Sequence, residues 1–194
     1  MSSTWSDKRT KKMVILSLFL GVGIALYVVE YFYIPPLPIP GAKLGLANLI
    51  TLLILGFYNW RDALFNVVAR IIVGSLLIGT FLTPAFYFSL TGGLLSVVVM
   101  IIVFRLVYGR VSFVGVSVTG AVTHNFGQLL LATLFISHWG LFLELPFLIL
   151  VAVFTGTLNG VVANYAVSRA EILRLELSGK RPRRGVVTQE KLVI

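Results

Sequence analysis

The chain has 194 residues, of which 58% are hydrophobic and 12% are charged, and its mean hydropathy is +0.97. Soluble domains carry roughly 25% charged residues, so this composition excludes an ordinary soluble protein and predicts a polytopic membrane protein. The absence of cysteine excludes disulfides, thiolate metal ligands and cysteine catalysis. The net charge of +9 would suit nucleic acid, but the basic residues stand at the ends of apolar runs, so we expect no nucleic-acid partner.

Six apolar runs predict an all-α bundle of six transmembrane helices. They cover Met13–Ile34, Gly41–Tyr58, Asp62–Phe81, Pro84–Tyr108, Phe113–Ser137 and Leu145–Ser168. The domain organisation is then a basic tail at residues 1–12, the membrane domain at 13–168 and a second basic tail at 169–194. An alternative interpretation joins the third and fourth runs into one long kinked helix, which leaves five spans.

The distribution of lysine and arginine favours six spans. With six, 14 of the 16 basic residues lie on one side, Lys43 lies on the other, and Arg70 falls inside a span. The positive-inside rule then predicts a multi-pass protein of the bacterial cell membrane with both termini in the cytoplasm.

A proline-rich stretch interrupts the apolar pattern between the first two spans. Pro35, Pro36, Pro38 and Pro40 exclude a helix there, so a helix can restart only near Gly41, with Lys43 in its first turn. Because the apolar run that follows is too short to cross the bilayer, the second helix should begin inside the membrane and border a cavity. An open helix N-terminus beside an ammonium group favours an anionic ligand.

The densest polar cluster lies in the fifth span. His124 and Gln128 are four residues apart and share a helix face, with Asn125 beside them. These side chains either bind neighbouring helices or line a ligand site. His124 and the distant His138 are too few for a metal site, and we expect no metal or cofactor. The candidate substrate-binding residues are Lys43, Asn48, His124, Asn125, Gln128 and Asn159.

Two charged residues leave alternatives open. Glu30 either forms an interfacial salt bridge with Lys43 or contacts the ligand. Arg70 lies about two turns into the third helix, where it either snorkels towards Arg61, makes a structural hydrogen bond or serves a substrate.

Small residues mark a candidate contact face on the first helix. Gly21 and Ala25 are four residues apart, which allows another helix to approach closely. That helix belongs either to this chain or to a separate membrane partner.

Two motifs, PGAKLGLANLITLLILGFY at residues 40–58 and GAVTHNFGQLLLATL at residues 120–134, resemble the paired signatures of the Gx transporter family, also called heptaprenyl diphosphate synthase component I. The size and six-helix layout of that family are similar to those of the substrate-capture (S) components of energy-coupling factor (ECF) transporters. The resemblance implies an S-component-like bundle that docks on ECF transmembrane and ATPase subunits, with Gly21 and Ala25 as the docking pair.

The sequence contains no catalytic motif that we recognise. Prenyl diphosphate synthases bind diphosphate through magnesium on clustered aspartates, whereas Asp7 and Asp62 are the two aspartates here and lie far apart. We therefore expect no catalytic residues. The leading hypothesis is a transporter subunit that captures a small anionic or amphiphilic molecule from outside, in contact with membrane lipids. The alternatives are a noncatalytic component I of a heptaprenyl diphosphate synthase and a self-sufficient carrier that uses Glu30 or Arg70.

Reporter fusions test the predicted topology. A reporter that is active in the cytoplasm should be active at either terminus, and a periplasmic reporter should be silent at both, because the excess of basic residues holds both ends inside. Periplasmic activity at one terminus would contradict six spans.

Overall fold

The computed structural model describes residues 3–33, 45–106 and 112–177, and it confirms the all-α prediction. In the described residues the chain forms six α-helices and one 3-10 helix. The α-helices are α1 (Ser3–Tyr33), α2 (Asn48–Phe57), α3 (Trp60–Leu77), α4 (Pro84–Leu106), α5 (Phe113–Ile136) and α6 (Leu145–Leu177), and the 3-10 helix is Trp139–Glu144.

The third and fourth apolar runs form two helices, so the interpretation that joined them is wrong. Gly79 and Leu82 both have positive φ, at 73° and 61°, and the hydroxyl of Thr83 donates to the carbonyl of Thr80 at 2.6 Å. Pro84 then begins α4, where its missing N–H costs no helical hydrogen bond. The chain reverses at this turn, and α3 and α4 pack side by side.

The largest differences from the predicted boundaries are at three helix ends. α1 begins at Ser3 and α6 continues to Leu177, so parts of both basic tails are helical. α2 begins at Asn48 rather than near Gly41, which leaves 10 residues, a length of about 15 Å. The second helix is therefore shorter than the sequence predicts.

α5 packs most extensively against α4 and α6 and also contacts α2. Glycines allow these close contacts. On α6, a Cβ at Gly156 would lie 2.8 Å from the Cα of Val118, and one at Gly160 would collide with the Cα of Val114. Gly156 and Gly160 are thus a small pair at a contact between two helices of this chain.

α1 lies at the periphery, against α2 and α3. Its inner face places the Tyr27 ring over Gly74, where a Cβ would meet the ring carbons at 2.5 Å. Gly21 and Ala25 are exposed on the opposite side, and a Cβ at Gly21 would meet nothing within 4 Å. Packing within the described part of this chain is therefore not the use of this pair.

One end of the bundle gathers basic side chains. Lys12 of α1 forms an ion pair with Asp62 at the start of α3, with 2.7 Å between nitrogen and oxygen. The guanidinium groups of Arg61 and Arg105 lie 5.3 and 5.2 Å from the centre of the Trp60 ring. The start of α3 and the end of α4 therefore meet at the same end of the bundle as the first turns of α1.

Three helical segments in the described residues are long and apolar enough to cross a membrane. They are Arg9–Tyr33, Pro84–Leu106 and Trp139–Ala170. α2 is apolar but short, while α3 carries the buried Asn66 and Arg70, and α5 carries the polar cluster of the sequence analysis. The count of six spans stays a prediction.

The close contact between α5 and α6 leads to a prediction about stability. Gly160→Ala should lower the free energy of unfolding by about 1 to 3 kcal/mol, because the new methyl group overpacks the backbone of α5. Thermal unfolding of the purified protein in detergent measures this. The matched control is Gly21→Ala, which adds the same methyl group to open space and should be neutral or slightly stabilising. Equal losses in both variants would contradict the packing described here.

Candidate functional site

The turn before α2 is the point at which the proline-rich region returns to regular structure. Gly45 has φ of 77°, a conformation that glycine adopts without strain. The N–H of Asn48 donates to the carbonyl of Gly45 at 2.9 Å, and that of Leu49 donates to the carbonyl of Leu46 at 3.1 Å. Two of the first amides of α2 are therefore satisfied locally, and the fully open N-terminus that the sequence suggested is not present.

Three side chains from three other helices bind this turn. The carboxylate of Glu30 on α1 accepts the N–H of Gly45 at 2.5 Å, and the amide of Asn159 on α6 donates to the carbonyl of Gly45 at 3.1 Å. The guanidinium of Arg70 on α3 donates to the carbonyl of Ala47. We call residues 45–47 with these three side chains the turn clamp. It ties four helices together through backbone groups.

A small polar cavity lies against the turn clamp. It is lined by Tyr27, Glu30, Gly45, Ala47, Asn48, Arg70, Ile71, Ser89 and His124, which come from α1 to α5 and the turn. The enclosed space measures about 20 Å³, enough for about one water molecule. Sites for small organic molecules measure roughly 300 to 1,000 Å³, so the cavity is too small for such a molecule.

Two nitrogen donors among the residues that line the cavity have no acceptor in the described residues. Arg70 and Asn48 are 3% and 4% exposed. The Nε atom of Arg70 and the Nδ2 atom of Asn48 have no acceptor within the described ranges. Buried donors without acceptors cost roughly 1 to 3 kcal/mol each, so a water molecule or a ligand atom is the expected partner.

Arg70 is held at depth rather than directed to the surface, so the snorkelling alternative is wrong. Gly23 of α1 makes room for it, since a Cβ at Gly23 would lie 3.1 Å from the Cδ atom of Arg70. Glu30, at 4% exposed, lines the same cavity with a negative charge. Neither residue was among the predicted binding residues, although an ionisable residue inside a span is a signal for function.

The predicted polar cluster on α5 divides into different environments. His124 lines the cavity. Asn125 donates to the carbonyl of Leu148 on α6 at 3.0 Å, so this amide joins two helices. Gln128 is buried where α5 meets α4, and a Cβ at Gly92 would lie 2.7 Å from its Cγ atom. A ligand contact by any of these three residues stays a prediction.

The remaining predicted residues have different outcomes. Asn48 lines the cavity. Asn159 is not a lining residue, but its side chain donates a hydrogen bond to the carbonyl of Gly45, which is one. Lys43 and the four prolines lie outside the described residues, and so does the proposed contact between Lys43 and Glu30. Among the described residues, no group of three histidines, aspartates or glutamates is placed to hold a metal ion.

The hydrogen bond from Asn159 to the carbonyl of Gly45 leads to a second prediction about stability. Asn159→Ala should lower the free energy of unfolding by about 1 to 2 kcal/mol, because the carbonyl of Gly45 loses a buried donor. Unfolding in detergent measures the change. Asn164→Ala is the control on the same helix, since Asn164 is exposed and its loss should change stability by less than about 0.5 kcal/mol. If Asn159→Ala is as neutral as the control, α6 does not hold the turn.

A family model described as heptaprenyl diphosphate synthase component I matches residues 19–166. Comparison with curated proteins and with solved structures gives no match. The matched segment runs from the middle of α1 into the second half of α6, and it includes every residue of the turn clamp and of the polar cavity. Because the match covers most of the 194 residues, the chain belongs to the heptaprenyl diphosphate synthase component I family.

Proposed function

We propose that the chain is a noncatalytic membrane subunit of a heptaprenyl diphosphate synthase, which binds an amphiphilic substrate for a soluble catalytic partner. The observation that carries this proposal is the family match over residues 19–166. It favours this function over the transporter function that the sequence analysis placed first.

The acidic residues support a noncatalytic role. Magnesium-dependent binding of a diphosphate needs several carboxylates close together. Asp62 is occupied at one end of the bundle, where it pairs with Lys12 and accepts the N–H of Asn59 at 3.2 Å. Glu30 lies in the polar cavity, well away from that end. The metal chemistry of the reaction is therefore assigned to the partner.

The proposed setting is the bacterial cell membrane, with six spans and both termini in the cytoplasm. Three apolar helical segments of spanning length support a membrane location. The basic end formed by Lys12, Arg61 and Arg105 supports a cytoplasmic position for the start of α3 and the end of α4.

The proposed binding site is the polar cavity and its surroundings. Asn48 and His124 line it, and Lys43, Asn125, Gln128 and Asn159 are retained as candidates from the sequence. An amphiphilic molecule fits this arrangement, since its polar head can reach the buried donors while its apolar part lies among the helices. Binding requires the cavity to widen, because its volume of about 20 Å³ is too small for such a molecule.

A second candidate function is substrate capture for an ECF-type transporter. The observation that favours it is the exposed face of α1, where Gly21 and Ala25 leave an open surface for a helix from another chain. The partners would then be a transmembrane subunit and ATPase subunits rather than a prenyl synthase.

Co-purification of the tagged chain from its native membrane tests the two candidates. We expect a soluble prenyl diphosphate synthase subunit to co-purify, and the chain alone should produce no prenyl diphosphate. Recovery of ATPase subunits would support the transporter, and recovery of the chain without any partner would contradict both and favour a self-sufficient carrier.

The Gly21→Leu variant sharpens this experiment. Leucine fits the open space around Gly21, so the isolated variant should unfold at the same temperature as the wild type. If the partner is a membrane subunit docked on α1, the variant should lose it, whereas a soluble synthase that does not contact this face of α1 should be retained. Unfolding of the variant itself would show that the α1 face is not free.

A further inference from the structure

We infer that the polar cavity is an anion site, in which Arg70 and Asn48 bind a phosphate group of the ligand and Glu30 takes its place when the ligand is absent. This inference rests on the proposed function for the ligand class, a prenyl diphosphate. It assigns the recognition of the charged head to Arg70 and Asn48 together.

The first step of the argument is the chemistry of the unsatisfied atoms. The Nε atom of Arg70 and the Nδ2 atom of Asn48 are both donors, both are buried, and both belong to residues that line one cavity. Phosphate oxygens accept several hydrogen bonds, and arginine is well suited to them because its guanidinium is planar and always charged. A ligand that brings acceptors satisfies the site better than one that brings donors.

The second step is charge. A guanidinium inside a bundle of apolar helices needs a negative partner, because the desolvation of an unpaired ion costs several kcal/mol. The carboxylate of Glu30 lines the same cavity and provides this charge. A phosphate that enters the cavity brings a negative charge as well, so the two anions compete for the same cavity.

The third step is space. At about 20 Å³ the cavity holds a water molecule and not a phosphate group. Movement of the Glu30 carboxylate away from the N–H of Gly45 would enlarge the cavity and free a further backbone donor for the ligand. When the ligand head replaces the Glu30 carboxylate, the competing negative charge leaves the cavity. The same movement enlarges the cavity.

The test measures binding of radiolabelled inorganic diphosphate to the purified full-length chain in detergent. Glu30→Gln should bind diphosphate about tenfold more tightly than the wild type, because the internal competitor is gone. Arg70→Gln should bind at least about tenfold more weakly, since a charge-assisted hydrogen bond is lost. Asn48→Leu should also weaken binding.

The controls change the same charges elsewhere. Arg61→Gln removes a positive charge from the same helix as Arg70, and Glu144→Gln removes a negative charge from the 3-10 helix. Both should leave diphosphate affinity unchanged. Weaker binding by Glu30→Gln, or equal effects of Arg61→Gln and Arg70→Gln, would overturn the inference, as would the absence of diphosphate binding to the folded wild type.

Further variants cover the case in which Arg70→Gln does not fold. Arg70→Lys keeps the charge but loses the planar fork, so its affinity should lie between those of the wild type and Arg70→Gln. The double variant Glu30→Gln with Arg70→Gln removes both buried charges and should fold; diphosphate binding at wild-type strength by this variant would also overturn the inference. The opposite directions expected for Glu30 and Arg70 separate recognition from a general loss of stability.

Two further probes identify the source of the phosphate. Tighter binding of farnesyl diphosphate than of inorganic diphosphate indicates a lipid-linked head, and equal binding indicates a free phosphate; both support the anion site. Farnesol binding as tightly as farnesyl diphosphate would overturn it, because the head would then not be recognised. These assays use the isolated chain, so they are independent of which partner co-purifies.

Discussion

Burial of an arginine and a glutamate among apolar helices requires that each finds a partner in the chain, and the turn at residues 45–47 provides backbone partners for both. Glu30 binds the N–H of Gly45, and Arg70 binds the carbonyl of Ala47. The positions of α1 and α3 beside α2 follow from these contacts. Asn159 adds α6, so the turn clamp relates four helices through one short segment. A ligand that changes any of these contacts would therefore affect the positions of several helices.

The polar cavity is small because the groups around it satisfy one another in part. Two of the first amides of α2 donate to carbonyls of the turn, which leaves fewer N–H groups for an anion than an open helix N-terminus has. The side chains of Arg70 and Asn48 retain unsatisfied donors. In the proposed anion site, recognition of a negative group would therefore depend more on these side chains than on the dipole of α2.

The all-helical fold and the shortness of the second helix were predictable because each depends on neighbouring residues. Proline content and hydropathy are local, and they indicate a short second helix, although α2 begins at Asn48 rather than near Gly41. The bond between Asn159 and Gly45 joins residues 114 positions apart, and no local pattern indicates it. Gly156 and Gly160 were missed for a related reason: small residues occur on several helices, and only the packing distinguishes the pair at a helix contact from Gly21 and Ala25 on an exposed face. Arg70 was noticed, but its direction depends on Gly23 of another helix.

The turn clamp also has a consequence for how the protein enters the membrane during synthesis. A 10-residue α2 is too short to be inserted as a span by itself, and an arginine at the centre of a span costs about 2.5 to 3.5 kcal/mol in insertion. In the proposed topology, α1 must therefore remain beside the insertion machinery until α3 arrives, so that the turn, Glu30 and Arg70 leave it together. Asn159 is synthesised last of these residues, on the final helix. The turn clamp thus completes its hydrogen bonds only when the last span is in place, so it forms late during assembly.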